Sequence, residues 1–128
     1  MSNLSKFVEH RVVRNSWVKM LKEKNYNYLA TIQKPMKHPY KFEDKFRRLS
    51  ECEQIESLFY SVERNSDLSG YHIHLMLKAH RTSKENICYV TNFANSDIPY
   101  FEEIDNDYKV SSYVSKYMRG DQLHYNFY

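Results

Sequence analysis

Glycine, proline and cysteine are all scarce: the 128 residues hold two glycines, three prolines and two cysteines. No G-x-x-x-x-G-K-[ST] run exists, so the chain carries no nucleotide-driven helicase of its own. Cys52 and Cys88 are far apart and form no C-x-x-C pair, which excludes a disulfide framework. Two buried thiols in a reducing, intracellular setting are expected instead. No apolar run reaches the ~18 residues that a membrane span needs. The first residues lack the charged-then-apolar pattern of a secretory signal. Internal repeats, low-complexity segments and linkers are missing too. What remains is a single soluble domain over residues 1–128, long enough for one proper core.

Charge is present but unevenly placed. The formal net charge is +3. Residues 1–24 hold Lys6, Arg11, Arg14, Lys19, Lys22 and Lys24 against Glu9 and Glu23, and residues 34–48 hold Lys34, Lys37, Lys41, Lys45, Arg47 and Arg48 against Glu43 and Asp44. Residues 97–107 carry five acids and no base. A basic first third suits a polyanionic partner, though charge alone equally describes a solvated helix face. Tyrosine is abundant, at twelve residues. Exposed tyrosines can stack on unpaired bases, and buried ones fill cores and strands.

Periodicity predicts an alternation of helices and strands. Residues 4–24 predict a helix with Phe7, Val8, Val12, Trp17, Met20 and Leu21 along one stripe, ended by Asn25. Residues 26–33 alternate as a strand, and Pro35 and Pro39 bracket a loop. Phe42, Phe46, Leu49, Cys52 and Ile55 recur at helical spacing, predicting a helix over 41–57. Residues 58–64 predict a second strand, and the polar stretch 65–70 leads to Tyr71-His72-Ile73-His74-Leu75-Met76-Leu77-Lys78. Residues 83–93 fit either a helix opening at Ser83 or a strand over 87–90. Residues 99–105 predict a short edge strand and 107–119 a last helix stopped by Gly120, whereas 121–128 carries no clear signal.

The histidine strand organises the rest. Strand side chains alternate, so Tyr71, Ile73, Leu75 and Leu77 share one face while His72, His74, Met76 and Lys78 share the other, expected to be open. Pairing Arg64 with Tyr71 in an antiparallel hairpin sets Val62, Tyr60 and Leu58 opposite Ile73, Leu75 and Leu77. A slip of one residue would place those apolar groups among polar ones. The same register sets Glu63 opposite His72 and Ser61 opposite His74. Opposed Cβ atoms lie about 4.5–5.5 Å apart, so Glu63, His72 and His74 can meet at one divalent ion.

A second constellation lies in the last predicted helix. Tyr113, Lys116 and Tyr117 share a face beside the apolar stripe of Val110, Val114 and Met118. A tyrosine one turn from a cation and facing a metal is what covalent phosphoryl transfer needs, because a phenol with pKa near 10 is otherwise a poor nucleophile at pH 7. An amphipathic helix with tyrosines at the core edge would give the same pattern.

Taken in order, these stretches resemble the nuclease domain of the HUH endonuclease superfamily, specifically the rolling-circle replication initiators. Tyr28-Leu29-Ala30-Thr31-Ile32-Gln33-Lys34-Pro35 resembles the first motif of that family. His72-Ile73-His74 matches its histidine–hydrophobic–histidine motif, with Glu63 where many members supply a third ligand, and Tyr113-Val114-Ser115-Lys116 matches Tyr-x-x-Lys. The resemblance spans roughly residues 26–119. It implies an α+β fold: a five-stranded, mostly antiparallel sheet with an RRM-like core and helices packed on it. It also implies a divalent metal, Mg²⁺ or Mn²⁺, on Glu63, His72 and His74. The implied activity is sequence-specific nicking and joining of single-stranded origin DNA through a 5′-phosphotyrosine. Tyr113 is the expected nucleophile assisted by Lys116. Tyr117 is a second candidate with the spacing of paired-tyrosine phage initiators, but Gly120 stands where those carry a further lysine. Arg11, Arg14, Arg47 and Arg48 are expected phosphate contacts. Implied partners are single-stranded or hairpin origin DNA and a host helicase and polymerase, with no membrane and with self-association left open. The implied location is the cytoplasm of a cell hosting a phage, archaeal virus or plasmid. Two other readings stand beside this one: a non-catalytic single-stranded nucleic-acid-binding sheet, and a domain whose metal only holds the fold.

Overall fold

The computed structural model describes residues 19–34, 42–65, 70–104 and 124–128. Its strands are β1 (Tyr28–Lys34), β2 (Ile55–Arg64), β3 (Tyr71–Ala79), β4 (Tyr100–Glu103) and β5 (His124–Phe127). Helix α1 (Glu43–Ser50) follows β1, and helix α2 (Lys84–Thr91) follows β3. The sheet runs β4-β1-β3-β2-β5, and every pairing is antiparallel. The fold is therefore α+β. From β1 to β4 the main elements follow the order β-α-β-β-α-β, a split arrangement in which β3 inserts between β1 and β2. That insertion places the histidine strand at the centre of the sheet.

Both helices pack on one face. Phe46 of α1 stacks on Tyr60 with ring centroids 4.5 Å apart, and Phe42, Phe46 and Leu49 join Leu58, Val62, Ile73, Leu75 and Leu77 in the main core. From α2, Ile87 reaches the same core. Lys45 Nζ donates to the Thr91 carbonyl at 2.6 Å, linking the two helices. Ser83 caps α2, its hydroxyl accepting from the Asn86 amide, so the ambiguous stretch is helical. Glu43 and Asp44 open α1, and Arg47 and Arg48 close it, complementing the dipole at both ends. Asn25, at φ 56°, ends the helical residues 19–23 as expected, since asparagine tolerates the left-handed conformation.

The hairpin register matches the sequence expectation at each position: Leu58 faces Leu77, Tyr60 Leu75, Ser61 His74, Val62 Ile73, Glu63 His72 and Arg64 Tyr71. Two expectations need correction, and one stretch without a clear signal takes a definite form. The helix predicted over 41–57 stops at Ser50, and β2 begins at Ile55. Ile55 continues the helical spacing by coincidence; a tight turn, with the Ile55 amide donating to the Cys52 carbonyl at 3.0 Å, delivers it to the core as the partner of Ala79. The tail forms β5, and Tyr128 just beyond it exchanges backbone hydrogen bonds of 2.9 Å with Leu58, while Asn126 and Tyr128 hold Glu43 of α1. Cys52 and Cys88 are free thiols but only half-buried, each packed at the edge of the helical layer. Among the described residues no helix is long and apolar enough to cross a membrane.

Candidate metal centre

The side chains facing away from the helices form three rows across the sheet. Leu29, Met76, Phe59 and Phe127 make one row, and Leu29, Phe59 and Met76 belong to a second apolar cluster with Leu21, Tyr26 and Ile104. The next row reads Tyr100, Thr31, His74, Ser61 and Tyr125. The third is Gln33, His72 and Glu63. This face thus grades from apolar to polar along β3, and the histidines occupy the polar end.

There the side chains of Glu63, His72 and His74 converge, with one ligand atom from each lying within 4.8 Å of the others. Glu63 Oε2 stands 2.7 Å from His72 Nε2 and 3.2 Å from His74 Nε2. The imidazoles meet edge to face, with centroids 5.1 Å apart. On its far side, His72 Nδ1 lies 2.8 Å from Asn65 Oδ1. The expectation of an open face is corrected here. The His74 side chain is 1% exposed and that of Glu63 7%, against 22% for His72. The same face carries its own apolar cluster, so alternation alone could not tell a solvated face from a second buried one. The centre is largely buried, with His72 its most exposed member.

A buried carboxylate needs compensation, and two neutral imidazoles can each offer it only one proton. One divalent cation would satisfy all three groups together, through one oxygen and two nitrogen donors. Ser61 strengthens the fit. Its hydroxyl is fully buried, lies in register with His74 and has no hydrogen-bond partner. Buried hydroxyls rarely stay orphaned, and those that do mark unplaced water, ions or function.

Comparison with known proteins supplies no relative to reason from. No family model, curated protein or solved structure matches the chain. The centre is therefore read from its own geometry.

Of the residues singled out in the sequence, Glu63, His72 and His74 come together. Tyr113, Lys116, Tyr117, Arg11 and Arg14 lie outside the described residues. Arg47 and Arg48 are exposed on α1, across the sheet from the centre, and Arg47 pairs with Asp44 at 2.7 Å. Sequence reasoning missed Asn65 and Ser61 as site residues. Ser61 was legible, because the hairpin register already placed it beside His74. Asn65 was not, because it stands at the start of a connection where strand alternation stops.

Proposed function

We propose that the chain is a metal-dependent, sequence-specific single-stranded DNA endonuclease of the HUH type, nicking and rejoining an origin to initiate rolling-circle replication. The observation that carries the reading is the convergence of Glu63, His72 and His74 within 4.8 Å on the central strand pair. Held by Glu63, His72 and His74, Mg²⁺ or Mn²⁺ would supply Lewis-acid polarisation of a phosphodiester. The Tyr113 phenol oxygen bonds to phosphorus, the bond to the 3′-oxygen breaks, and the phenolic proton ends on the released 3′-hydroxyl. Lys116 offsets charge developing on the phosphate. The product is a 5′-phosphotyrosine, and reversal at the same centre rejoins ends. Arg47 and Arg48, across the sheet, would contact phosphates remote from the scissile one. Such an enzyme would work in the host cytoplasm alongside a host helicase and polymerase.

A passive base-stacking sheet is supported less well. Stacking needs exposed rings, and on this face Phe59 and Met76 are fully buried, leaving Tyr125 as the large aromatic exposed among the described residues of the sheet. The test is incubation with a 5′-hairpin origin oligonucleotide and Mn²⁺, resolved on a denaturing gel. A covalent protein–DNA band is expected from the wild-type chain and from Tyr117→Phe, and none from Tyr113→Phe. Binding without any adduct would return the chain to the non-catalytic class.

A further inference from the structure

We infer that Asn65 is a positioning residue of the metal centre: its side-chain oxygen takes the Nδ1 proton of His72 and leaves the Nε2 lone pair facing the ion. The inference rests on reading Glu63, His72 and His74 as a metal centre.

A neutral imidazole has one N–H and one lone pair. His72 has both nitrogens against oxygen acceptors, Asn65 Oδ1 at 2.8 Å and Glu63 Oε2 at 2.7 Å. In the neutral ring, the form that ligates a metal, one proton cannot serve both. With the proton on Nδ1, the Asn65 contact is a normal hydrogen bond, and Nε2 meets the carboxylate lone pair to lone pair. That second contact is repulsive unless a cation lies in it. His74 Nε2 lies 3.2 Å from the same oxygen and, in the tautomer that ligates through Nε2, adds a third electron pair aimed at the same place. An ion relieves all of these contacts at once, and Asn65 selects the tautomer that admits it.

Asn65 is itself held firmly. Its amide donates to the Gly70 carbonyl at 2.9 Å, closing the connection between β2 and β3. Gly70 has φ 153°, in the half of backbone space that disfavours side chains. The residue that closes the hairpin therefore also orients the more exposed histidine. A partner of this kind commonly changes metal affinity by about 10- to 100-fold.

The test is Mn²⁺ titration by calorimetry of the full chain and two variants, with the His72 ring followed by ¹⁵N NMR in the Mg²⁺-loaded protein. Asn65→Ala should bind Mn²⁺ about 10-fold or more weakly and lose the slowly exchanging Nδ1–H resonance. Asn65→Asp keeps an acceptor for the ring and should restore both. The metal-free unfolding temperatures should stay together, because the Asn65–Gly70 bond uses only backbone. Wild-type affinity in Asn65→Ala, equal losses in both variants, or a proton on Nε2 of the loaded protein would each overturn the role of Asn65. Failure of the wild-type chain to take up Mn²⁺ would overturn the metal centre itself, and this inference with it.

Discussion

The two faces of the sheet are built by the same strands, yet only one of them is finished as a core. Toward the helices, Leu58, Tyr60, Val62, Ile73, Leu75 and Leu77 meet Phe42, Phe46 and Leu49, and the interior is almost wholly apolar. On the opposite face, Leu29, Phe59 and Met76 begin a similar core. Two residues further along the same strands it gives way to Ser61, His74, Glu63 and His72. Burying those groups costs stability unless something compensates them, and replacement by apolar residues of similar volume is often neutral or stabilising. The first face accounts for why the chain folds. The second holds the candidate metal centre, and the two should respond separately to mutation.

The largest effect should come from the helical face. Phe46→Ala removes a fully buried ring stacked on Tyr60 and should cost about 3–5 kcal/mol in denaturant unfolding. The protein that remains folded should still take up Mn²⁺ with wild-type affinity. A parallel loss of affinity would show that the faces are not separable.

The converse experiment touches only the polar end. Wild-type protein in Mn²⁺ at about 100 times its Kd should gain roughly 2.7 kcal/mol of stability by mass action. Glu63→Gln and His74→Ala should gain nothing from the metal and form no covalent DNA adduct. A full metal-dependent gain in either variant would place the ion elsewhere.

A pH series sharpens the contrast further. Burial pushes Tyr26 up to about 12, and burial together with the Glu43 carboxylate and Tyr128 pushes Tyr60 up as well. Phenols whose folded pKa exceeds the unfolded value near 10 stabilise the native state fully below pH 10. That contribution declines as pH rises from 10 through the folded value. Unfolding free energy should therefore fall above pH 10, checked by denaturation alongside phenolate absorbance. Tyr26→Phe, on the face that carries the candidate metal centre, should flatten only its part of that fall.

The smallest effect should belong to Ser61→Ala. Removing an unpartnered buried hydroxyl should raise metal-free stability by about 1 kcal/mol, since an unsatisfied polar group costs about 1–3 kcal/mol. If Ser61 serves the loaded centre, the same change weakens Mn²⁺ binding, so stability and affinity move in opposite directions. Unchanged affinity would mean that serine is there only because the His74 ring leaves no room for more.

Much of this arrangement follows from the sequence by itself. Alternation put His72 and His74 on one side of a strand, and apolar matching set the hairpin register that brings Glu63 to them. Both are short-range rules, and a slip by one residue would have cost every apolar pair at once. Tertiary structure decided what those rules cannot reach. It extended β2 back to Ile55, because pairing with Ala79 outweighed a helical spacing that ran on by coincidence. It recruited an ambiguous tail as β5, where Tyr60 finds His124 at 2.9 Å, a partner 64 positions away. It also buried His74 and Glu63 on the histidine face. Alternation says which side a residue points to, and only contacts between chain segments far apart determine whether that side meets water.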